Sequence, residues 1–188
     1  MKNYLLSIYL LGILYMSCVD KNQNITLIHD FYGGKVSDTT NIYLETFKIG
    51  KPAIPLLIEY IDGDNKRIVG FPNPYSSTIG AFDIPNYEGI IAAYAIELIL
   101  AKDSLSGNKI TYEGTTQINP FKIYSYCVIA RVENGVETQK ELTLDDMKII
   151  KNTYRTWWNK NKDKSIEELR NEWKQGKFIL SNSGYKWV

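Results

Sequence analysis

The sequence has few of the side chains on which most metal and nucleophilic sites depend. It holds one histidine, His29, and two cysteines, Cys18 and Cys127. A serine or cysteine nucleophile needs a nearby base, and a structural zinc ion needs four nitrogen or sulfur ligands, so this composition argues against both kinds of site. His29 lies beside Asp30, but adjacent residues point to different sides of a helix. We expect no catalytic residue, no metal site and no cofactor.

An excess of charge of either sign is also missing. The 188 residues include 22 Lys and Arg against 21 Asp and Glu, which gives a formal net charge of +1. Proteins that bind nucleic acid through its phosphates present a field of positive charge, so nucleic acid is not an expected partner. The hydrophobic fraction of 44% and the charged fraction of 23% are typical of a globular protein.

The longest apolar run near the start is too short to cross a membrane. It extends from Tyr4 to Met16, which is 13 residues, whereas a membrane-spanning helix needs about 20. Lys2 precedes this run, and Ser17 and Cys18 follow it. A basic residue, a short apolar core and a small residue at the end are the layout of a secretory signal peptide.

The residues from Leu14 to Cys18, Leu-Tyr-Met-Ser-Cys, resemble the lipobox of bacterial exported lipoproteins. The resemblance implies that residues 1–17 are removed as a signal peptide, that Cys18 is lipidated, and that residues 18–24 form a tether. Two acyl chains are sufficient for stable anchoring, so the membrane of the bacterial cell envelope, on its periplasmic or outer side, becomes the expected location. Because the second and third residues of this run differ from the usual ones, cleavage near Cys18 without lipidation is the alternative.

Residues 25–188 contain no linker, and we expect one mainly helical domain with a HEAT-like hairpin and one small β-hairpin. Helices are predicted over Ile25 to Tyr32 and over Ile42 to Ile49. The second of these helices is expected to bury a stripe of three side chains, Ile42, Leu44 and Phe47.

A third helix is predicted to begin between Pro52 and Pro55, since proline is tolerated in a first helical turn, and the preceding helix should end at Gly50. Residues 38–64 resemble a HEAT-type repeat, a helical hairpin that usually binds other proteins. The stretch over 154–162 is similar to segments that accompany such repeats in uncharacterised exported bacterial envelope proteins. No second copy recurs at a fixed period, so a full solenoid is not expected.

The most apolar element extends from Gly89 to Ala101, with Asn86 as its expected cap. It is apolar on nearly all faces and is therefore predicted to be buried on nearly all faces. Glu97 is its only ionisable group, and an ion pair is the expected way to bury it. The predicted partners are the arginines Arg67, Arg131 and Arg155.

The C-terminal part of the chain carries local signals for a hairpin and two helices. Asn134-Gly135 predicts a tight turn between strands over Phe121 to Val132 and Val136 to Lys140. Thr143 with Asp146, and Ser165 with Glu168, predict the starts of two helices. Gly176 should end the second helix, and the aromatic segment over 184–188 should pack against the domain.

The leading hypothesis is a membrane-anchored, non-enzymatic lipoprotein that binds another protein, for example as an immunity-type toxin neutraliser. The glycine- and proline-rich segment over 62–86 and the aromatic residues give the candidate binding residues, which are Tyr75, Asp83, Tyr87 and Trp158. The alternative is a protein that binds carbohydrate or hydrolyses glycans with two carboxylates. Candidates for those carboxylates are Asp62, Asp64, Asp83, Glu88 and Glu97.

Overall fold

The computed structural model describes most of the chain after residue 24, in the ranges 25–33, 35, 39–64, 66–67, 86–101, 108–112, 115–119, 129–138 and 141–188. The chain divides into two compact units, Met1–Ile49 and Gly50–Val188, and each is described here by itself. The predicted signal peptide, Cys18, the tether and Cys127 lie outside the described residues. A single domain over 25–188 stays a prediction.

The first unit contains two of the predicted helices. Helix α1 covers residues 25–32, and its Phe31 and Tyr32 rings meet edge to face with their centroids 5.0 Å apart. Helix α2 is Thr39–Ile49. Its buried side is formed by Ile42, Tyr43 and Thr46, whereas the other two members of the expected stripe, Leu44 and Phe47, are only partly buried. The stripe prediction was therefore wrong for those two residues, because the side of the helix that faces inward carries Tyr43 and Thr46.

The second unit begins with the predicted proline-containing turn. Gly50 has a φ of 67°, a left-handed conformation that ends helix α2 at the residue before it. A 3-10 turn over Lys51–Ala53 leads into helix α3, Ile54–Tyr60. The predicted start and stop are both confirmed. Helices α2 and α3 belong to different units, so their pairing as a HEAT-like hairpin stays a prediction.

Helix α4, Glu88–Ala101, is buried from Glu88 to Leu100, as its apolar composition predicted. Asn86 is not its cap. Instead, Asn86 lies in strand β2, Asn86–Tyr87, which pairs antiparallel with strand β1, Lys66–Arg67. The backbone hydrogen bonds of this short ladder hold the chain extended up to Tyr87, so the helix begins one residue later.

Glycine at position 89 allows the first turn of α4 to lie directly against the end of α3. A Cβ atom on this residue would lie 1.8 Å from the carbonyl oxygen of Ile61 and 2.4 Å from its carbonyl carbon. Only a residue without a side chain fits this approach between two backbones.

Both predicted helix starts are confirmed, and each of them is a capping box. Helix α5, Leu144–Asn161, begins after Thr143, whose side chain accepts a hydrogen bond from the backbone of Asp146. Helix α6, Ile166–Lys174, begins in the same way after Ser165. Gly176, with a φ of 81°, follows the end of α6 as expected.

Three strands of the C-terminal part form an antiparallel sheet, whose central strand pairs with a neighbour on each side. Strands β5, Ile129–Glu133, and β6, Val136–Thr138, are joined by the predicted turn, where both central residues have positive φ. Strand β7, Tyr185–Trp187, pairs with the other edge of β5, so the aromatic end of the chain packs as predicted.

The fold is mainly helical with a small antiparallel sheet, which confirms the predicted fold class. The structure adds a hairpin that the sequence analysis did not predict, formed by β3, Asn108–Tyr112, and β4, Thr115–Asn119. Within the described ranges, no helix combines the length and the apolar character needed to cross a membrane.

Candidate functional site

The candidate site is built around the segment over 178–187, which follows helix α6 and leads into strand β7. A groove of about 570 Å³ opens on one side of this segment. Its apolar wall consists of Val132, Phe178, Leu180, Tyr185 and Trp187. We refer to it as the apolar groove, and its volume and lining are within the range of small-ligand and side-chain binding pockets.

Phe178 is the most accessible aromatic side chain of the apolar groove. It is 42% exposed, although its ring also meets Trp173 edge to face with the centroids 5.2 Å apart. Lys186 lies at the rim, where its ammonium group forms a 2.6 Å exposed ion pair with Glu137. An aromatic side chain that is held by a neighbour and still faces solvent is a typical anchor point for a binding partner.

A second groove, of about 490 Å³, lies on the other side of the same segment, against helix α5. We refer to it as the polar groove, because most of its lining residues carry hydroxyl or amide groups. Ser181 and Asn182 line both grooves. Asn182 has a φ of 66°, and the Ser183 hydroxyl donates to the Leu180 carbonyl at 2.7 Å, so a tight turn separates the two grooves.

A buried polar cluster fixes strand β7 beneath these grooves. The Tyr185 hydroxyl donates to Asp146 at 2.7 Å, and the Arg131 guanidinium donates to both oxygens of the same carboxylate. Asp146 also accepts from the backbone and the hydroxyl of Thr143 as part of its capping box. One carboxylate therefore joins β5, β7 and the start of α5.

Asp146 and Tyr185 of this cluster have shifted pKa values. Burial alone would raise the pKa of Asp146, but the hydrogen bonds from Arg131, Thr143 and Tyr185 outweigh it and hold that pKa well below its usual value. Burial, together with the hydrogen bond to Asp146, raises the pKa of Tyr185 to about 12. Both shifts favour the ionised carboxylate bound to a neutral phenol.

A second buried cluster joins helix α4 to the same strand. Glu97 accepts a hydrogen bond from the Tyr154 hydroxyl at 2.7 Å and another from the Trp173 indole at 2.7 Å. The Trp187 indole in turn donates to the Tyr154 hydroxyl at 3.0 Å. The sequence analysis missed all of these contacts with aromatic donors, which come from α5, α6 and β7.

The arginines expected to pair with Glu97 include two that pair with other acids. Arg131 binds Asp146, and Arg155 binds Glu59 with its guanidinium nitrogen 3.1 Å from the carboxylate. The prediction was wrong for these two residues, because they pair with other acids and Glu97 instead accepts hydrogen bonds from aromatic side chains. The side chain of the third arginine, Arg67, lies outside the described residues.

Lys151 on helix α5 binds the C-terminal end of helix α3. Its ammonium group donates to the Glu59 carbonyl at 2.8 Å and to the Asp62 carboxylate at 2.7 Å. Lys151 is buried, so these contacts satisfy a charge that has little water around it. Asp62 therefore serves as an ion-pair partner between two helices, while its neighbour Asp64 is exposed.

Only two of the four predicted binding residues, Tyr87 and Trp158, lie in the part of the chain that the structure describes. Tyr75 and Asp83 lie outside the described residues, and Tyr87 is placed in strand β2, where it pairs with Lys66. Trp158 is half-buried on helix α5, and the Lys51 ammonium group lies 5.7 Å from its ring centroid. Trp158 lines neither groove.

Reasoning from the sequence also missed the residues that do line the grooves. One usable signal was present, because hydroxyl and amide residues recur with helical spacing around Trp157, as Asn152, Thr153, Thr156 and Asn161. The apolar groove left no comparable signal, since Val132 on β5 is distant in the sequence from the segment over 178–187, which supplies the rest of the described lining. In the part of the chain that the structure describes, no three His, Cys, Asp or Glu side chains cluster to hold a metal ion.

Comparisons with known proteins give no relative for this chain. No protein-family model, no curated protein and no solved structure matches it. Its function is therefore argued from the grooves and the sequence alone.

Proposed function

We propose that this protein is a membrane-anchored, non-enzymatic lipoprotein that binds another protein outside the cytoplasm, as an immunity-type toxin neutraliser would. The apolar groove is the observation that supports binding, because it combines a volume of about 570 Å³ with aromatic walls and the exposed ring of Phe178. The expected occupant is an aromatic or aliphatic side chain projecting from the partner protein. The lipobox-like residues ending at Cys18 support the anchor.

The lining of the grooves favours binding over hydrolysis. Among the residues that the structure describes, neither the apolar nor the polar groove has an Asp or Glu in its lining, whereas glycan hydrolysis by the usual route needs two carboxylates on either side of the scissile bond. Among the acids considered for that role, Asp62 is engaged by Lys151 and Asp83 lies outside the described residues. A hydrolytic site is therefore the less favoured alternative.

The anchor is tested by replacing Cys18 with alanine. We expect Cys18→Ala to appear in the soluble fraction or to remain as uncleaved precursor, because lipid attachment needs the thiol and two acyl chains provide the membrane affinity. Cell fractionation, with mass spectrometry of the mature N-terminus, measures both results. Membrane retention with normal processing in the variant would contradict lipidation.

The binding proposal is tested with a photo-crosslinking amino acid at position 178 in cells. We expect a crosslink to one envelope or secreted protein, and no such product from position 136, since Val136 is 64% exposed but outside both grooves. With the purified partner, Phe178→Ala should weaken binding by about ten-fold or more, as expected for an interface anchor, while Val136→Ala changes it little.

Thermal unfolding of both variants checks that neither effect arises from loss of the fold. Equal crosslinking from the two positions would contradict a partner at the apolar groove. Hydrolysis of a glycan or peptide by the purified protein would contradict a non-enzymatic role.

A further inference from the structure

The polar groove has a composition that the protein-binding role does not use. Its hydroxyl groups come from Thr153, Thr156, Ser181 and Ser183, and its amide groups come from Asn152, Asn161 and Asn182. Each of these groups both donates and accepts hydrogen bonds. Ile149, Trp157 and Ile179 add apolar surface to the lining, so a ligand that matches the groove carries both hydrogen-bonding groups and apolar faces.

Trp157 adds a flat apolar surface to this wall. The residue is half-buried on helix α5 and lines the groove. Its ring centroid lies 6.1 Å from that of Trp158, with the two rings inclined by 39°. An indole offers a large rigid area at low conformational cost, which suits the C–H face of a pyranose ring. The groove therefore offers a partner for each part of a sugar. Its hydroxyl and amide side chains suit the hydroxyl groups at the edge of the sugar, and the indole suits the C–H groups on its face.

Three of the polar side chains are held in place before any ligand binds, and one of them is Ser183, whose hydroxyl donates to the Leu180 carbonyl. The Thr153 hydroxyl donates to the Ile149 carbonyl at 2.9 Å, and the Asn161 amide donates to the Trp157 carbonyl at 2.7 Å. Their oxygen atoms keep the capacity to accept further hydrogen bonds. A wall whose side chains are already ordered loses less conformational entropy on binding.

We propose that the polar groove is a saccharide-binding site, in which Trp157 stacks on a sugar ring and the amide and hydroxyl groups bind its hydroxyls. This site adjoins the apolar groove, with which it shares Ser181 and Asn182, and none of its described lining residues comes from the segment over 62–86. Within the described lining, Lys160 is the only charged residue and it is basic, so the ligand is neutral or carries an acidic sugar.

The test uses purified full-length protein and a panel of oligosaccharides, with glucose- and N-acetylglucosamine-based hexamers as neutral probes and a galacturonate hexamer as the anionic probe. Titration calorimetry is expected to detect binding of at least one probe. The double variant Asn152→Ala/Thr156→Ala should weaken that binding by about ten-fold or more, because it removes hydrogen bonds at two exposed positions of the wall.

Asn171→Ala is the matched control, since Asn171 is also exposed on a helix but lines neither groove. It should leave the affinity unchanged. Bound saccharide should also change the indole fluorescence of the wild-type protein, and Trp157→Phe should remove most of that change. Lys160→Gln should weaken binding of the galacturonate probe alone, which separates a neutral from an acidic ligand.

Two results would overturn the proposal. One is the absence of binding by every probe at roughly 10 mM, a concentration at which even weak contacts are detected. The other is an affinity that falls equally in Asn171→Ala and in the double variant, because this would show that the effect does not come from the groove.

Discussion

Gly89→Ala is expected to destabilise the second unit by about 3 kcal/mol or more, the upper end of what overpacking a core usually costs. The added Cβ would lie 1.8 Å from the carbonyl oxygen of Ile61, 2.4 Å from its carbonyl carbon and 2.9 Å from its Cα. Each of these distances is too short for a contact between non-bonded atoms. All three contacted atoms are backbone, so no flexible side chain can move aside. The start of α4 would have to shift away from α3, which disturbs the most deeply buried helix of the unit.

Gly63→Ala is the matched control, because the same substitution there places a Cβ 3.3 Å from the Tyr60 carbonyl oxygen. A displacement of a few tenths of an ångström relieves that contact, so we expect a change of about 1 kcal/mol or less. Urea unfolding followed by circular dichroism measures both variants. Similar midpoints for Gly89→Ala and the wild-type protein would show that α3 and α4 do not approach each other as closely as described.

Asp146→Ala is expected to lower the free energy of unfolding by about 3 kcal/mol, the effect of removing one partner of a buried charge cluster. The substitution leaves the Arg131 guanidinium and the Tyr185 hydroxyl without their acceptor and removes half of the capping box of α5. Asp145→Ala is the control in the same helical turn. Asp145 forms an exposed pair with Lys148, so we expect a change of less than about 1 kcal/mol.

The same cluster makes stability depend on pH in two ranges. Because the pKa of Asp146 is lowered on folding, its stabilisation is complete above about pH 4, the usual carboxylate value, and is lost as the pH falls below it. Because the pKa of Tyr185 is raised to about 12, its contribution is complete below pH of about 10 and is lost as the pH rises towards 12. Unfolding curves across both ranges measure these losses.

The Asp146→Ala variant should be less sensitive to acid than the wild-type protein, since it lacks the carboxylate whose protonation weakens the cluster. An equal loss of stability in acid for both proteins would place the responsible carboxylates elsewhere. Asp145→Ala should retain the acid sensitivity of the wild-type protein.

The elements predicted correctly from sequence are those with local causes. Each capping box needs two side chains three residues apart, and the Asn134-Gly135 turn needs two adjacent residues that accept positive φ. The complete burial of α4 followed from its composition alone. These signals depend on nearest neighbours, which a sequence displays directly.

The partners of Glu97 could not be predicted in that way. Tyr154 lies 57 residues away along the chain and Trp173 lies 76 residues away, so their contact depends on how three helices pack. The pairing of β7 with β5 has the same character. Both grooves depend on this packing, because their walls combine helix α5 or strand β5 with the segment that leads into β7.

The role of Gly89 was hidden for a different reason. Within a uniformly apolar helix, a single glycine is compatible with any packing, and only the position of the Ile61 backbone shows why a side chain is excluded. Glycine has a low helix propensity, and the close approach of the Gly89 and Ile61 backbones requires it at this position.

The ladder between β1 and β2 holds Arg67 beside Asn86, immediately before α4 begins. The segment over 68–85 therefore begins and ends at paired positions of this ladder, and the helices on either side are fixed by their own contacts. Each doubling in the length of a flexible connection raises its closure free energy by only about 0.6 kcal/mol. The segment between β1 and β2 is consequently a suitable place to insert a foreign peptide or a reporter domain without disturbing the helical core.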